Sequence, residues 1–249
     1  MRTIIAGCCK IFTVIKIPKQ EERFIMKKIF AFAFVFVFVL AGMSFAATTP
    51  DSIIAGAVSM LDEMSTTDDV SAMADTVKTS HAIAIVPSMV KAGFIVGGEY
   101  GEGLILRHEN GKWYGPSFYN IGGGSFGLQI GAQSVALLLA VINERGVGAF
   151  TGSKTKLGGD FAVAAGPVGR RAEAATDAQA KASIYSYSMT KGLFAGVSLE
   201  GSVISISVKR NNEYWGGKVS AKEALNKPAD DKRIAPLVEA LNALIKKAK

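Results

Sequence analysis

The sequence predicts an α+β fold, a β-rich antiparallel sandwich or barrel with N-terminal and C-terminal helices. Three observations carry this expectation. Between His81 and Trp215, short runs rich in β-branched and aromatic residues are separated by glycines and polar turns. On either side of that region the apolar residues recur at helical spacing. Strands and helices do not alternate, as a parallel βαβ sheet would require.

The first element is a leader. Met26-Lys27-Lys28 opens a run, Ile29 to Leu40, made only of Ile, Phe, Ala, Val and Leu, and the run closes on Gly42-Met43-Ser44-Phe45-Ala46-Ala47. Two lysines, an apolar stretch and a small-x-small site at Ser44 and Ala46 form a secretory signal peptide, with cleavage expected after Ala46. The stretch is short against the roughly 20 residues of a membrane span; the alternative is an uncleaved anchor extending to Ala47. Gln20-Glu21-Glu22, just before Met26, reads as a ribosome-binding site translated in frame, so residues 1–25 are expected to precede the true start. The organisation expected is a leader over 1–46 and a single domain over 47–249.

Removing the leader changes the charge. Seven of the 28 Lys and Arg and two of the 21 Asp and Glu precede Ala47, which leaves 21 cations against 19 anions, a net charge of +2 instead of +7. Nucleic acid is therefore not an expected partner. Cys8 and Cys9 are also upstream, so the exported chain has no thiol, no disulfide and no cysteine-based metal site.

The domain then begins with helices. Thr49 caps a helix with Pro50 in its first turn, and Ile53, Ile54, Ala57, Val58, Leu61 and Met64 share one face. Thr66 or Thr67 is expected to cap a second helix carrying Val70, Met73 and Val77. No lysines flank the apolar face, so these helices are expected to dock on a core instead of seeking a bilayer. Strands are expected at Ala82–Val86, Gly93–Val96, Leu104–Arg107, Trp113–Ile121, Ser134–Ile142, Phe161–Ala165, Ser183–Ser188, Leu193–Leu199 and Val203–Lys209. Gly97-Gly98-Glu99-Tyr100-Gly101 and Leu199-Glu200-Gly201-Ser202 are expected as hairpin loops. Ser220 with Glu223 makes a capping box. Beyond Pro228, an amphipathic stripe of Ile234, Leu237, Val238, Leu241, Leu244 and Ile245 ends in Lys246, Lys247 and Lys249, cations suited to a helix C-terminus.

Three enzyme patterns fail on their chemistry. Gly123-Gly124-Ser125-Phe126-Gly127 fits a nucleophile elbow, but that fold needs a histidine after the serine, and His81 and His108 both precede it. Gly122, Gly124 and Gly127 fit a dinucleotide loop, which must lie between a strand and a helix; a bent strand packing backbone against a neighbour is the expected use of Gly122 to Gly131. Gly152-Ser153-Lys154-Thr155 lacks the glycine that a phosphate loop places before its lysine. No catalytic residue, metal ligand or cofactor is expected.

The segment Ser186-Tyr187-Ser188-Met189-Thr190-Lys191-Gly192-Leu193-Phe194-Ala195-Gly196-Val197-Ser198-Leu199-Glu200-Gly201 closely resembles the signature of the SYLF domain family. Further blocks follow in the family's order over roughly residues 80 to 216: Gly101-Glu102-Gly103, Trp113 with Pro116, Gly127-Leu128-Gln129-Ile130-Gly131, Lys156-Leu157-Gly158, Ala165-Gly166-Pro167-Val168-Gly169-Arg170, and Asn211 to Gly216 with Tyr214. Thr190 stands where a serine is expected. The resemblance implies a non-enzymatic lipid- and membrane-binding domain of compact β-rich fold, here a bacterial exported member; eukaryotic relatives bind phosphoinositides, and yeast relatives bind and bundle actin. With a leader in place, the part that transfers is affinity for anionic phospholipid headgroups at the envelope.

Lys154, Lys156, Arg170, Arg171, Lys191, Lys209 and Arg210 lie at or near expected strand ends and are the candidate lipid-binding residues. Each cation close to an anionic bilayer contributes about 1 kcal/mol, so the attachment depends on several converging. The rival expectations are a protein-interaction or scaffold module with a protein partner, and a carrier holding an acyl chain between sheet and helices.

Overall fold

A computed structural model describes residues 48–67, 70–159, 161–167, 182–194 and 197–249, without the side chains of 94–96 and 125–131. The expected leader, Arg170 and Arg171 lie outside the described residues.

Two long strands organise the sheet. β1 (Ala82–Glu109) and β2 (Lys112–Val141) form one antiparallel hairpin whose register runs from Glu109↔Lys112 to Ala82↔Val141. Its turn is Asn110-Gly111, with φ of 50° and 73°, the pair of positive values a two-residue hairpin needs. The expected loop at Gly97–Gly101 is instead continuous strand, paired with Ile121 to Ser125. Glycine was read there as a chain reversal, whereas it serves close packing. A Cβ on Gly101 would stand 2.6 Å from Cγ1 of Val86 and 3.2 Å from Cα of Met89, so the second half of β1 lies against its own first half. The strand bends that far because register shifts fall between Val86 and Met89, Gly93 and Ile95, and Ile105 and Arg107. Pro87, with no N–H for the ladder, sits in the first of them.

β2 is long enough to take two strands on its other edge. β5 (Ile184–Thr190) pairs with Ala136–Val141, and β7 (Val203–Ile206) pairs with Tyr119–Gly122. β3 (Lys154–Lys156) extends the sheet beyond β7, and β6 (Leu193–Phe194) returns on β5. β4 (Val163–Ala165) lies parallel to β5, so the sheet is mixed, and the antiparallel expectation holds for the other strand pairs among the described residues. The turn expected at Leu199–Ser202 is present, with Ser202 N–H donating to the Leu199 carbonyl at 3.0 Å, but β7 leaves it to pair with β2 and β3. Gly122 to Gly131 lie within β2, in a continuous strand with no helix following, which removes both the elbow and the dinucleotide geometry. A Cβ on Gly123 would stand 3.2 Å from Cα of Ser202, the backbone-to-backbone approach expected of these glycines.

Both faces of the sheet are covered. Ile83, Ile85, Leu104, Phe118, Leu138 and Tyr187 face helices α1 (Pro50–Ser65), α2 (Val70–Thr79) and α6 (Ala235–Ile245), while Ala84, Val86, Tyr119, Leu137, Leu139 and Ile204 face the opposite way with Phe150 and Leu157. Strands buried on both faces read as continuous apolar runs, as Val135 to Val141 do. Two short helices, α3 (Glu144–Val147) and α5 (Ala221–Ala224), flank α4 (Val208–Trp215) in chain order. α4 starts where a strand to Lys209 was expected; Ser207 ends the strand by donating its N–H to the Phe118 carbonyl.

The helical ends follow the sequence closely. Thr49 and Ser52 cap α1 reciprocally, Ser220 and Glu223 cap α5, and Ile53, Ile54, Ala57, Leu61 and Met64 are buried. The expected capping of α2 by Thr66 or Thr67 is not seen: Thr66 ends α1, and the residues just before Val70 lie outside the described set. Lys247 does cap a helix C-terminus, but that of α1, donating from Nζ to the Ser65 carbonyl at 2.7 Å.

Candidate functional site

The candidate cations among the described residues stand on three elements, β3, α4 and the turn after β5. Lys154 and Lys156 are exposed on the edge strand β3, one residue apart on the same face, and take part in no ion pair among the described residues. Lys209 is exposed in the first turn of α4, with Glu213 3.9 Å away. Arg210 turns inward: its guanidinium lies 3.4 Å from Glu102 and 3.1 Å from Glu213, with about 11% of the side chain exposed. It therefore ties α4 to β1 and uses its charge internally. Lys191 is exposed at the tip of the β5–β6 hairpin and takes part in no ion pair among the described residues.

That hairpin builds the site. Thr190↔Leu193 is the last pair, and Lys191 (φ 51°) and Gly192 (φ 77°) form the two-residue turn. A lysine in the left-handed region costs energy that a glycine would not, and the turn sets Lys191 at the hairpin tip. β5 leaves β2 at Ala136↔Met189, and beyond that pair a wedge opens between them. The wedge is an open cavity of about 650 Å³, floored by Ala132, Gln133 and Ser134, walled by Met189 to Gly192, and bounded by Pro87 and Glu63 of α1. Gly56 makes this possible: a Cβ there would meet the Pro87 ring at 2.9 Å, so α1 crosses the β1 bulge closely enough to bring Glu63 to the rim.

Two of the four large apolar side chains exposed among the described residues are neighbours, in chain or in register, of residues that line this cavity. Leu193, 74% exposed, follows Gly192, and Val90, 49% exposed, is the register partner of Ser134. A protruding cation, an exposed leucine and a mixed cavity can adsorb a surface or hold a polar ligand. Among the described residues no three His, Cys, Asp or Glu side chains converge as a metal site would need. His81 pairs with Glu144 at 3.3 Å, and His108 stacks on Trp113 at 4.3 Å.

A family model described as "Ysc84: Las17-binding protein actin regulator" matches residues 122–244. The chain belongs to the Ysc84 family, the SYLF-domain family. It is 39% identical over 176 residues to an SH3 domain-containing protein of Schizosaccharomyces pombe, covering 68% of this chain and 41% of that protein. To SH3 domain-containing YSC84-like protein 1 of Xenopus laevis it is 38% identical over 149 residues, covering 57% of this chain and 44% of the relative. To LAS seventeen-binding protein 3 of Saccharomyces cerevisiae it is 37% identical over 156 residues, covering 61% and 34%. The chain thus spans less than half the length of each relative.

The SYLF signature divides between packing and presentation. Tyr187 is core, donating its hydroxyl to Thr76 Oγ1 at 2.8 Å. Asn211 is buried, accepts from the Phe118 N–H at 2.9 Å and donates to the carbonyls of Phe118 and Ser207 at 3.0 Å each, which clamps α4 to β2. Lys191-Gly192-Leu193 is the part turned outward. Sequence reasoning had selected Lys191 but not Glu63, Val90 or Leu193. Leu193 was legible in principle, since a two-residue Lys-Gly turn leaves little to cover the residue after it; Glu63 and Val90 reach the site only through tertiary packing.

Proposed function

We propose that this SYLF domain is a non-enzymatic adhesion module that settles on anionic phospholipid surfaces through the Lys191–Leu193 turn. The observation that carries the reading is the exposure of Leu193 two residues beyond a lysine at the tip of a hairpin. Burying a leucine side chain is worth about 1.5–3 kcal/mol, against about 1 kcal/mol for a cation near an anionic bilayer. One leucine therefore outweighs either lysine of β3. Lys154, Lys156 and Lys209 supply long-range attraction from another part of the sheet, and Arg170 and Arg171 are retained as contacts to test. Arg210 is the candidate whose charge is already engaged. This reading takes Met26–Ala46 as an export leader, which would bring the domain to the envelope, where phospholipid headgroups are abundant anions. The interlayer in which a carried acyl chain would lie is occupied by Ile53, Leu61, Met64, Met73 and Leu241.

A second reading, a protein-docking module, is favoured by the family description and by the Las17-binding relative. Liposome co-sedimentation separates the two. Binding that requires anionic lipid, weakens with salt and drops about tenfold or more in Leu193→Ser supports adhesion. Equal binding by Leu193→Ser and the unaltered protein would sink the assignment of the turn, and no sedimentation at any salt would favour docking to a protein.

A further inference from the structure

We propose that the cavity between Glu63 and Lys191 receives a zwitterionic phosphoamine group, with the ammonium against Glu63 and the phosphate on the Lys191 side. This rests on the membrane reading above and adds to it the class of headgroup that is selected. Both charges line the same cavity, yet they make no ion pair with each other or with any other described residue. Glu63 leans over the turn: its Oε1 would lie 3.5 Å from a Cβ on Gly192, so the missing side chain keeps the approach to the carboxylate clear. A purely anionic group entering beside Lys191 would meet that carboxylate as a like charge; one carrying its own ammonium turns the repulsion into attraction.

The remaining lining fits the same ligand. The Thr190 hydroxyl and the Gln133 amide border the cavity without a hydrogen-bond partner among the described residues, and are available to phosphate oxygens, whereas Ser134 is already bonded to Ser88 at 2.8 Å. Ala132, Ala136 and Pro87 offer methyl and methylene surface to the short carbon spacer between the charges. Exposed Leu193 follows the lining residue Gly192 and exposed Val90 pairs with the lining residue Ser134, so a lipid holding its headgroup there would have apolar side chains near its chains.

The test uses the full chain titrated with O-phosphoethanolamine, inorganic phosphate and ethanolamine, followed by the amide resonances of Gln133, Thr190 and Gly192. Phosphoethanolamine is expected to saturate these resonances at concentrations at least tenfold below either fragment. Glu63→Gln and Lys191→Asn should each weaken it at least fivefold, the asparagine being tolerated at positive φ. Glu63→Gln should leave inorganic phosphate binding unchanged or tighter. Phosphoethanolamine that binds no tighter than phosphate, or equally to Glu63→Gln, overturns the proposal. Sedimentation with anionic vesicles with and without phosphatidylethanolamine then identifies the source. A Glu63-dependent gain assigns a lipid headgroup, and binding of the soluble probe without that gain assigns a free phosphorylated amine. Anionic-vesicle binding that persists while phosphoethanolamine fails leaves the adhesion reading standing and removes only the cavity's ligand.

Discussion

The ring of Tyr187 lies against Gly166 so closely that no Cβ could be placed between them. The contact joins two blocks of the family signature, since β4 runs parallel to β5 and the Gly166 N–H donates to the Ser186 carbonyl at 2.9 Å. Gly166→Ala should therefore overpack the site and cost about 1–3 kcal/mol. Urea unfolding of the two proteins would show it as a lower midpoint with an unchanged slope; an equal midpoint would mean that the ring can move aside.

Asn211 is the buried polar group on which the α4–β2 junction depends. Asn211→Ala strands the N–H of Phe118 in the core, while the Phe118 carbonyl keeps the Ser207 N–H, and about 1–3 kcal/mol of stability should be lost. Asn211→Asp keeps the acceptor but loses the donor, so it should fall short of the original protein as well. Chemical denaturation with amide exchange at Phe118 checks both.

Glu99 is held inside the sheet with its carboxylate 2.7 Å from Lys91 Nζ and hydrogen-bonded by the Ser202 hydroxyl. Glu99→Gln leaves the Lys91 ammonium largely buried without its counter-charge, and a loss of about 3–5 kcal/mol is expected. Replacing the pair together, Lys91→Met with Glu99→Leu, should be much milder than Glu99→Gln. Thermal unfolding of the single and double variants decides it: a double variant as unstable as the single one would show that the pair does more than neutralise itself.

His108 gives the protein a pH dependence of known sign. Partial burial beside Trp113 lowers its pKa below the usual histidine value, against a smaller opposing effect of a hydrogen bond with the Ser80 backbone. The unfolded chain then binds more protons than the folded one as pH falls below about 6.5, so this residue's contribution to stability declines as the solution is acidified. His108→Gln should flatten the stability profile in that window. An NMR titration placing the His108 midpoint at or above 6.5 would contradict the expectation.

The helical ends were legible because their causes are local. Thr49 and Ser52, Ser220 and Glu223, and the spacing of Ile53 to Met64 act within one or two turns of chain. The strands were legible as apolar runs but not in their lengths: Gly97-Gly98 and Gly101 look like a reversal, and only their partners at Ile121 to Ser125 show that the chain continues. The reversal itself is Asn110-Gly111, a short hairpin signal that stands beside longer glycine runs. For the site, Lys191 was visible as part of a signature, and Arg210 was chosen for its charge without sight of Glu102 on a distant strand.

By itself the sequence determined the class of the fold, the caps of α1 and α5, and the family, because each depends on neighbours within a few residues or on an ordered set of blocks. Tertiary structure alone decided that one cation is engaged by a carboxylate 108 residues away, and that Glu63 and Lys191 line a wedge where β5 parts from β2. The physical reason is that a charge or an apolar side chain acquires its role from what stands within a few ångströms of it. In a sheet bent back upon itself, those neighbours come from parts of the chain that no local pattern connects.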